Sequence, residues 1–377
     1  PISGARSDNY FYTMFSMPST VDISQFEDCI DPATGAMRWW QDGAGLNPYW
    51  AKDYSTNQDS RNRFLLNGSL TYKFTDWLRG EIKAGSDMYN TETQTKLYAG
   101  SPLSTNGRYS YGLQKFYENN YSFMFTAQKD QVIDKIGGTV TFGGNMMQRK
   151  ATGLKNSLGT LIVPDWFWMS NGDKGDLSVE QTLSEKKINS LYGTIGLNYD
   201  GWVFLDATFR NDWSSSLSKQ NRSFFYPSIS ASWVFSDMFN KMEKPLPDWF
   251  TYGKVRISFA EVGNDMDPYQ LYNSYRVGSE GNTGGVNAGY SSSTLYNADV
   301  KSELIKSWEA GAEIRFLNNR LGLDVTWYKS NATRQLLNIP MNSLSGYTAM
   351  KVNAGNIENQ GVEIMLNATP VQTKDFN

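Results

Sequence analysis

The chain contains no histidine and one cysteine, Cys29. An intrachain disulfide, a Cys/His zinc site and imidazole acid-base catalysis are thereby excluded. Long apolar runs are missing as well. No stretch approaches the roughly 18 residues that mark a membrane helix, and mean hydropathy is -0.51. Lys+Arg 35 against Asp+Glu 38 leaves a net charge of -3 and a pI near 5.3, so there is no broad basic surface for nucleic acid. No nucleophile and base fall together in a recognisable motif, and an enzyme is not expected. The chain lacks an initiating Met and a charged, apolar leader, and it stops abruptly at Asn377. It reads as an internal piece of something longer.

What is abundant is aromatic: 14% of residues, with Trp 12, Tyr 22 and Phe 20, accompanied by Gly 33. In 377 residues this composition suits one extended architecture of half-apolar strands better than two or three ordinary domains. The organising stretch is Lys187 to Leu217. Leu191, Gly193, Ile195, Leu197 and Tyr199 share one face of its first arm, the period of two that a strand imposes. Asp200 and Gly201 form a two-residue turn of the type that needs positive φ at both positions. Val203, Leu205, Ala207, Phe209 and Trp213 then continue the apolar face, opposite Trp202, Phe204, Asp206, Thr208, Arg210 and Asp212.

Residues 1–60 break this pattern and read as an outer loop region, with a short helix after Asp22, capped by Asp22 or Ser24, and the tetrad Asn47 to Trp50 at its end. Residues 61–377 read as strands, about eleven of them by the alternation criterion. Connections after Phe74, Gln128, Tyr199 and Leu317 are short. Those at Thr91 to Phe116, Gln148 to Lys186, Val262 to Ser302 and Ala332 to Asn356 are long. Short turns on one side and long loops on the other are the mark of an outer-membrane β-barrel. A soluble β-sandwich shares the period of two without that asymmetry. Charge obeys the same division: Asp206, Arg210, Asp212, Arg256, Glu309 and Arg315 all fall on the polar set, which would face a lumen. Charge on a lipid face costs about 2–4 kcal/mol at the midplane. Aromatic residues gather near both ends, as Tyr72, Phe74 and Trp202 do by the short turns and Tyr89, Trp213 and Trp327 by the long loops.

These residues resemble one family, the SusC/RagA-type TonB-dependent transporters of Bacteroidota outer membranes. The matching stretches are Asn47 to Trp50, Arg210 to Leu217 (RNDWSSSL), Phe224 to Ser230, Ser258 to Asp265, Ser307 to Tyr328 and Asn353 to Ile364. The resemblance implies an all-β fold, part of an antiparallel transmembrane barrel of about 22 strands closed by an N-terminal plug. Neither the plug nor the TonB box is matched here. It also implies import of an oligosaccharide or peptide, coupling to TonB through a region outside this chain, and a SusD-like surface lipoprotein as partner. A passive porin and a soluble β-sandwich adhesin are the alternatives.

Candidate contacts follow from position. Trp39, Trp40, Trp166 and Trp168 lie in expected outer loops, where flat rings either stack on sugar or partner surfaces or pack their own loop. Tyr269, Tyr272 and Tyr275 recur at a spacing that holds one surface together. Arg210 and Asp212 either line the cargo path or form a structural pair at a strand end. No cofactor is expected. Asp173 and Asp176, and Asp265 and Asp267, are oxygen-rich enough to suggest calcium but lack EF-hand spacing. The stretch Gly278 to Gly289 has no strand-then-helix context and reads as a mobile outer loop rather than a phosphate cradle.

Overall fold

The computed structural model describes residues 13–15, 17–41, 45–173, 175–279, 286–290 and 292–370. Among the described residues fourteen strands follow in order: β1 Ser55–Lys73, β2 Leu78–Leu97, β3 Arg108–Ile133, β4 Ile136–Leu158, β5 Ser178–Tyr199, β6 Val203–Ser214, β7 Ser223–Trp233, β8 Phe250–Asn264, β9 Tyr275–Ser279, β10 Val286–Tyr290, β11 Thr294–Leu295, β12 Glu303–Phe316, β13 Leu321–Pro340 and β14 Ala349–Ala368. Helices α1 (Pro48–Tyr54) and α2 (Phe235–Lys241) interrupt them. Twelve strands make one sheet, ordered β1 to β8, then β12, β13, β14 and β11. From β5 to β14 the ladders are antiparallel, apart from a short parallel pairing of β11 to β14. All eleven expected strands lie in this sheet, and β11 is the addition.

Contacts divide the chain into two compact units. The first comprises Pro1–Leu66, Ser86–Glu118 and Arg149–Ser184, and the second Asn67–Gly85, Asn119–Gln148 and Glu185–Asn377. In the first, Cys29, Leu46 and Trp50 form a small core with Met37 and Tyr54 packed on it. The tetrad near the end of the first region is the start of α1. Asn47 caps it, its Oδ1 accepting from Tyr49 N at 2.9 Å, while its Nδ2 donates to the Phe26 and Arg38 carbonyls at 3.0 and 2.8 Å. Pro48 takes the first helical position, where its missing N–H costs nothing. The helix expected after Asp22 is one turn of 3-10 geometry, Ile23–Phe26, capped by Asp22. Burial pushes the Cys29 thiol pKa up.

In the second unit, Asp200 (φ 50) and Gly201 (φ 73) turn as expected, and Trp202 N donates to Tyr199 O at 3.1 Å. The ladder resumes at Tyr199–Val203, so Trp202 belongs to the connection and the turn is one residue longer than the sequence suggested. The faces survive, because Leu197 meets Leu205 and Gly196 meets Asp206. Below this turn Lys241 Nζ and Lys135 Nζ reach the Asp200 carboxylate at 2.7 and 3.1 Å. The paired lysines, Lys241 first, hold its pKa below the usual carboxylate value.

Three expected long loops are shorter than the alternation implied. β2 runs to Leu97, β4 to Leu158 and β13 to Pro340, which leaves connections of 98–107, 159–177 and 341–348. Strands of 19–26 residues such as β1 to β4 exceed the roughly 9–11 that cross a bilayer. Beyond lipid neither face must be apolar, so the alternation fades while the hydrogen-bonded ladder continues. The β7–β8 connection departs in the other direction: it lies at the short-turn end yet carries α2. In the glycine-rich stretch, β9 and β10 pair as an antiparallel ribbon where a mobile loop was expected. Residues 280–285 of it lie outside the described residues.

Candidate functional site

Register assigns each strand's faces without reference to composition. Leu205 lies across from Leu197 and Ala231, Ala231 from Ile257, Ile257 from Ala310, Ala310 from Trp327 and Trp327 from Val362. One continuous apolar face results, and Leu197, Leu205, Ile257, Trp327 and Val362 are all exposed on it. The residues between them make the opposite face, where Asp206, Arg210, Asp212, Arg256, Glu309 and Arg315 all fall. Exposed apolar surface of this extent is the signature of a partner or a lipid phase.

The polar face is tied together by charge. Arg210 Nε donates to Asp212 Oδ1 at 2.9 Å and its Nη2 to Ser190 Oγ at 3.0 Å, with its guanidinium over the Tyr192 ring at 5.9 Å. Tyr226 of β7 donates its hydroxyl to the buried Asp212. Arg256 spans from β8 across β12 to β13, donating to Asp324 at 2.9 and 2.7 Å and to Thr326 Oγ1 at 2.6 Å. Gly311 of β12 lies beneath it, where a Cβ would come within 2.7 Å of Arg256 Nε. Arg315 donates to Glu313 at 2.8 and 2.6 Å and lies 5.1 Å from the centroid of Tyr252. Asp206 and Glu309 are exposed on the same face. These contacts give RNDWSSSL its structural role: Arg210 and Asp212 bind neighbouring strands, and Ser214 donates to Asp265. Thr326 and Ser190 escaped notice in the sequence, and Tyr226 was read there only as an aromatic beside a long loop, because a neutral hydroxyl on a polar face carries no charge pattern.

Asp265, considered there for calcium, is committed to protein. Lys186 Nζ donates to its Oδ1 at 2.7 Å and to the Met266 carbonyl at 3.2 Å, with side chains 13% and 8% exposed. Asp173 turns back on its own loop to accept from Gly175 N at 3.0 Å, and Asp176 accepts from Thr160 Oγ1 at 3.3 Å. Lys174 lies outside the described residues.

The aromatic candidates separate into two groups. Trp39 is half-buried, edge-on to Phe26 at 5.3 Å, and the indole N–H groups of Trp39 and Trp40 are both buried. Trp166 and Trp168 are 56% and 63% exposed, while Phe167 between them turns inward against Tyr98 at 4.7 Å. Tyr272 and Tyr275 are exposed, as is Tyr269, whose hydroxyl accepts from Glu185 N at 3.2 Å.

Comparison with known proteins points one way. Residues 7–377 match the family described as TonB dependent receptor-like, beta-barrel. The TonB-dependent receptor SusC of Bacteroides thetaiotaomicron is 28% identical over 352 residues, which is 88% of this chain and 33% of that protein. TonB-dependent receptor P26 of Formosa agariphila is 25% identical over 343 residues, 88% of this chain and 34% of its own length. The chain therefore spans about a third of the curated relatives it matches. The solved RagAB peptide transporter superposes with a TM-score of 0.80 at 22% identity, covering 90% of this chain and 38% of that one.

Proposed function

This chain belongs to the TonB-dependent receptor-like β-barrel family, an outer-membrane fold, and we propose that it forms part of an energised importer of bulky oligomers, either oligosaccharides or peptides. The observation that carries the reading is the division of faces. The apolar face running from Leu197 to Val362 meets lipid, and the opposite face, carrying Arg210–Asp212, Arg256–Asp324 and Arg315–Glu313, lines the transport path. Those ion pairs hold the strands of a polar wall along which a hydrated cargo can pass. The solved peptide transporter of similar fold supports the peptide part of this cargo class. TonB supplies the energy through a region outside this chain. A SusD-like lipoprotein meets the loop end, where Trp166 and Trp168 offer exposed rings. The chain performs no chemistry on what it carries.

The experiment measures uptake of labelled oligosaccharides and peptides by cells carrying or lacking the full-length gene, with and without a protonophore. Gene-dependent uptake that collapses on de-energisation is expected. Gene-dependent uptake indifferent to the protonophore would mean a passive channel instead.

A further inference from the structure

The sheet splits between two of its strands. β7 and β8 stop pairing at Ser228 and Ala260, although β7 stays laddered to β6 as far as Ser223, and β8 to β12 as far as Asn264. Phe224 and Tyr226 stack there at 5.9 Å. A Cβ on Gly263 would lie 2.8 Å from the first ring and 3.3 Å from the second, so the rings occupy space that only a glycine leaves open. A cleft of about 420 Å³ fills the split, lined by these rings and by Lys301, Lys306, Arg334 and Glu261.

Its charge is unbalanced. Lys306 is paired with Glu261 at 2.8 Å, while no acidic side chain among the described residues pairs with Lys301 or Arg334. Arg334 is also held in a conformation that an arginine seldom adopts. It faces Gly355 across the ladder, and both take the left-handed backbone, φ 56 and φ 82, between the regular pairs Thr333–Asn356 and Gln335–Ala354. A glycine would adopt it without strain, and strain retained at one side chain points to a use for that side chain. Asn353 holds the two cationic residues together. Its Nδ2 donates to the Lys301 and Arg334 carbonyls at 2.9 and 2.8 Å, and its Oδ1 accepts from Lys301 N at 2.6 Å.

We propose that the cleft between β7 and β8, through Lys301 and Arg334, binds a phosphate or sulfate ester carried on a sugar. A guanidinium fork and an ammonium lining one cleft suit a tetrahedral oxyanion. The aromatic lining suits the apolar face of a sugar ring, and the volume falls within the range of small-ligand sites. Lys306 shares the β12 face with Trp308, on the apolar side of the sheet. The ester therefore comes either from a glycolipid headgroup at the membrane edge or from a soluble acidic saccharide. The site stands independently of the import reading.

The test uses the full-length protein in detergent, titrated calorimetrically with glucose 6-phosphate, glucose 6-sulfate and glucose, and examined by native mass spectrometry for retention of diphosphoryl lipid A. At least one anionic probe should bind, and glucose should not. Lys301→Gln and Arg334→Gly should each weaken that binding at least tenfold, and the glycine variant should lose no thermal stability because it relieves the left-handed backbone. Binding of a sugar ester identifies a soluble saccharide as the source. Retention of lipid A alone, lost in both variants, identifies the headgroup. Glucose binding equal to its esters, anion binding unchanged in both variants, or no binding of any anionic probe would overturn the proposal.

Discussion

Arg256 reaches Asp324 over the top of an intervening strand, with two hydrogen bonds of 2.9 and 2.7 Å, and the absence of a side chain at Gly311 is what lets it pass. A methyl there would come within 2.7 Å of Arg256 Nε. Gly311→Ala should therefore displace the guanidinium and cost about 1–2 kcal/mol, in the lower part of the range for overpacking because the pair is part-exposed. Asp324→Asn should be destabilising alone, and the double variant should cost less than the sum of the singles. Chemical unfolding in detergent of the three variants checks this. Strict additivity would mean that the glycine and the ion pair are unrelated.

Adjacent residues of β6 test the assignment of faces. Leu205 sits opposite Leu197 on the apolar side and Asp206 opposite Gly196 on the polar side. In the full-length protein Leu205→Arg should cost about 2–4 kcal/mol in the membrane and reduce assembly, whereas Asp206→Arg should assemble normally and alter only transport. A heat-modifiability gel of outer-membrane fractions distinguishes them, and equal assembly of both would reverse the account.

Most of this architecture was legible because lipid forces a period of two: Leu197, Leu205 and Ile257 must be apolar, and their neighbours need not be. That constraint ends where the strands leave the bilayer. The upper reaches of β2, β4 and β13 looked like loop for this reason, though their ladders continue to Leu97, Leu158 and Pro340. The charged members of the polar face were legible, but their pairings were not. Arg256 meets a partner 68 positions away, a distance over which only register decides. Asp265 looked like a solvated loop acid with only a weak hint of calcium, and nothing local in the sequence shows that Lys186 claims it.

The turn at Asp200 gives a pH dependence with a defined sign. Lys241 and Lys135 hold the folded carboxyl below its usual value, so the interaction stabilises fully above that usual value, near 4. It fades as pH falls through the folded pKa. Wild type should exceed Asp200→Asn in stability at pH 7, and the gap should close below about pH 4. Asparagine tolerates the left-handed backbone, so the comparison isolates charge. A gap unchanged down to pH 2 would remove the ion pair from the explanation.

Trp166 and Trp168 test the partner reading. Replacing both by Ala in the full-length protein should weaken co-purification with the surface lipoprotein by tenfold or more, the scale of losing an aromatic anchor, at unchanged surface expression. Cargo uptake should fall with it. Unaltered pairing and uptake would leave these rings as loop packing only.

The central claim, that this sheet is a wall of an outer-membrane barrel with its long loops outside, is tested most directly by cysteine labelling in intact cells. Cys29 is the chain's own thiol and is buried, so within this chain the background is low. Leu344, 94% exposed between β13 and β14, lies at the loop end, and Asp76, exposed between β1 and β2, at the turn end. A membrane-impermeant maleimide should label Leu344→Cys in intact cells and Asp76→Cys only after the outer membrane is permeabilised. Labelling of Asp76→Cys in intact cells, with Leu344→Cys protected, would contradict the account.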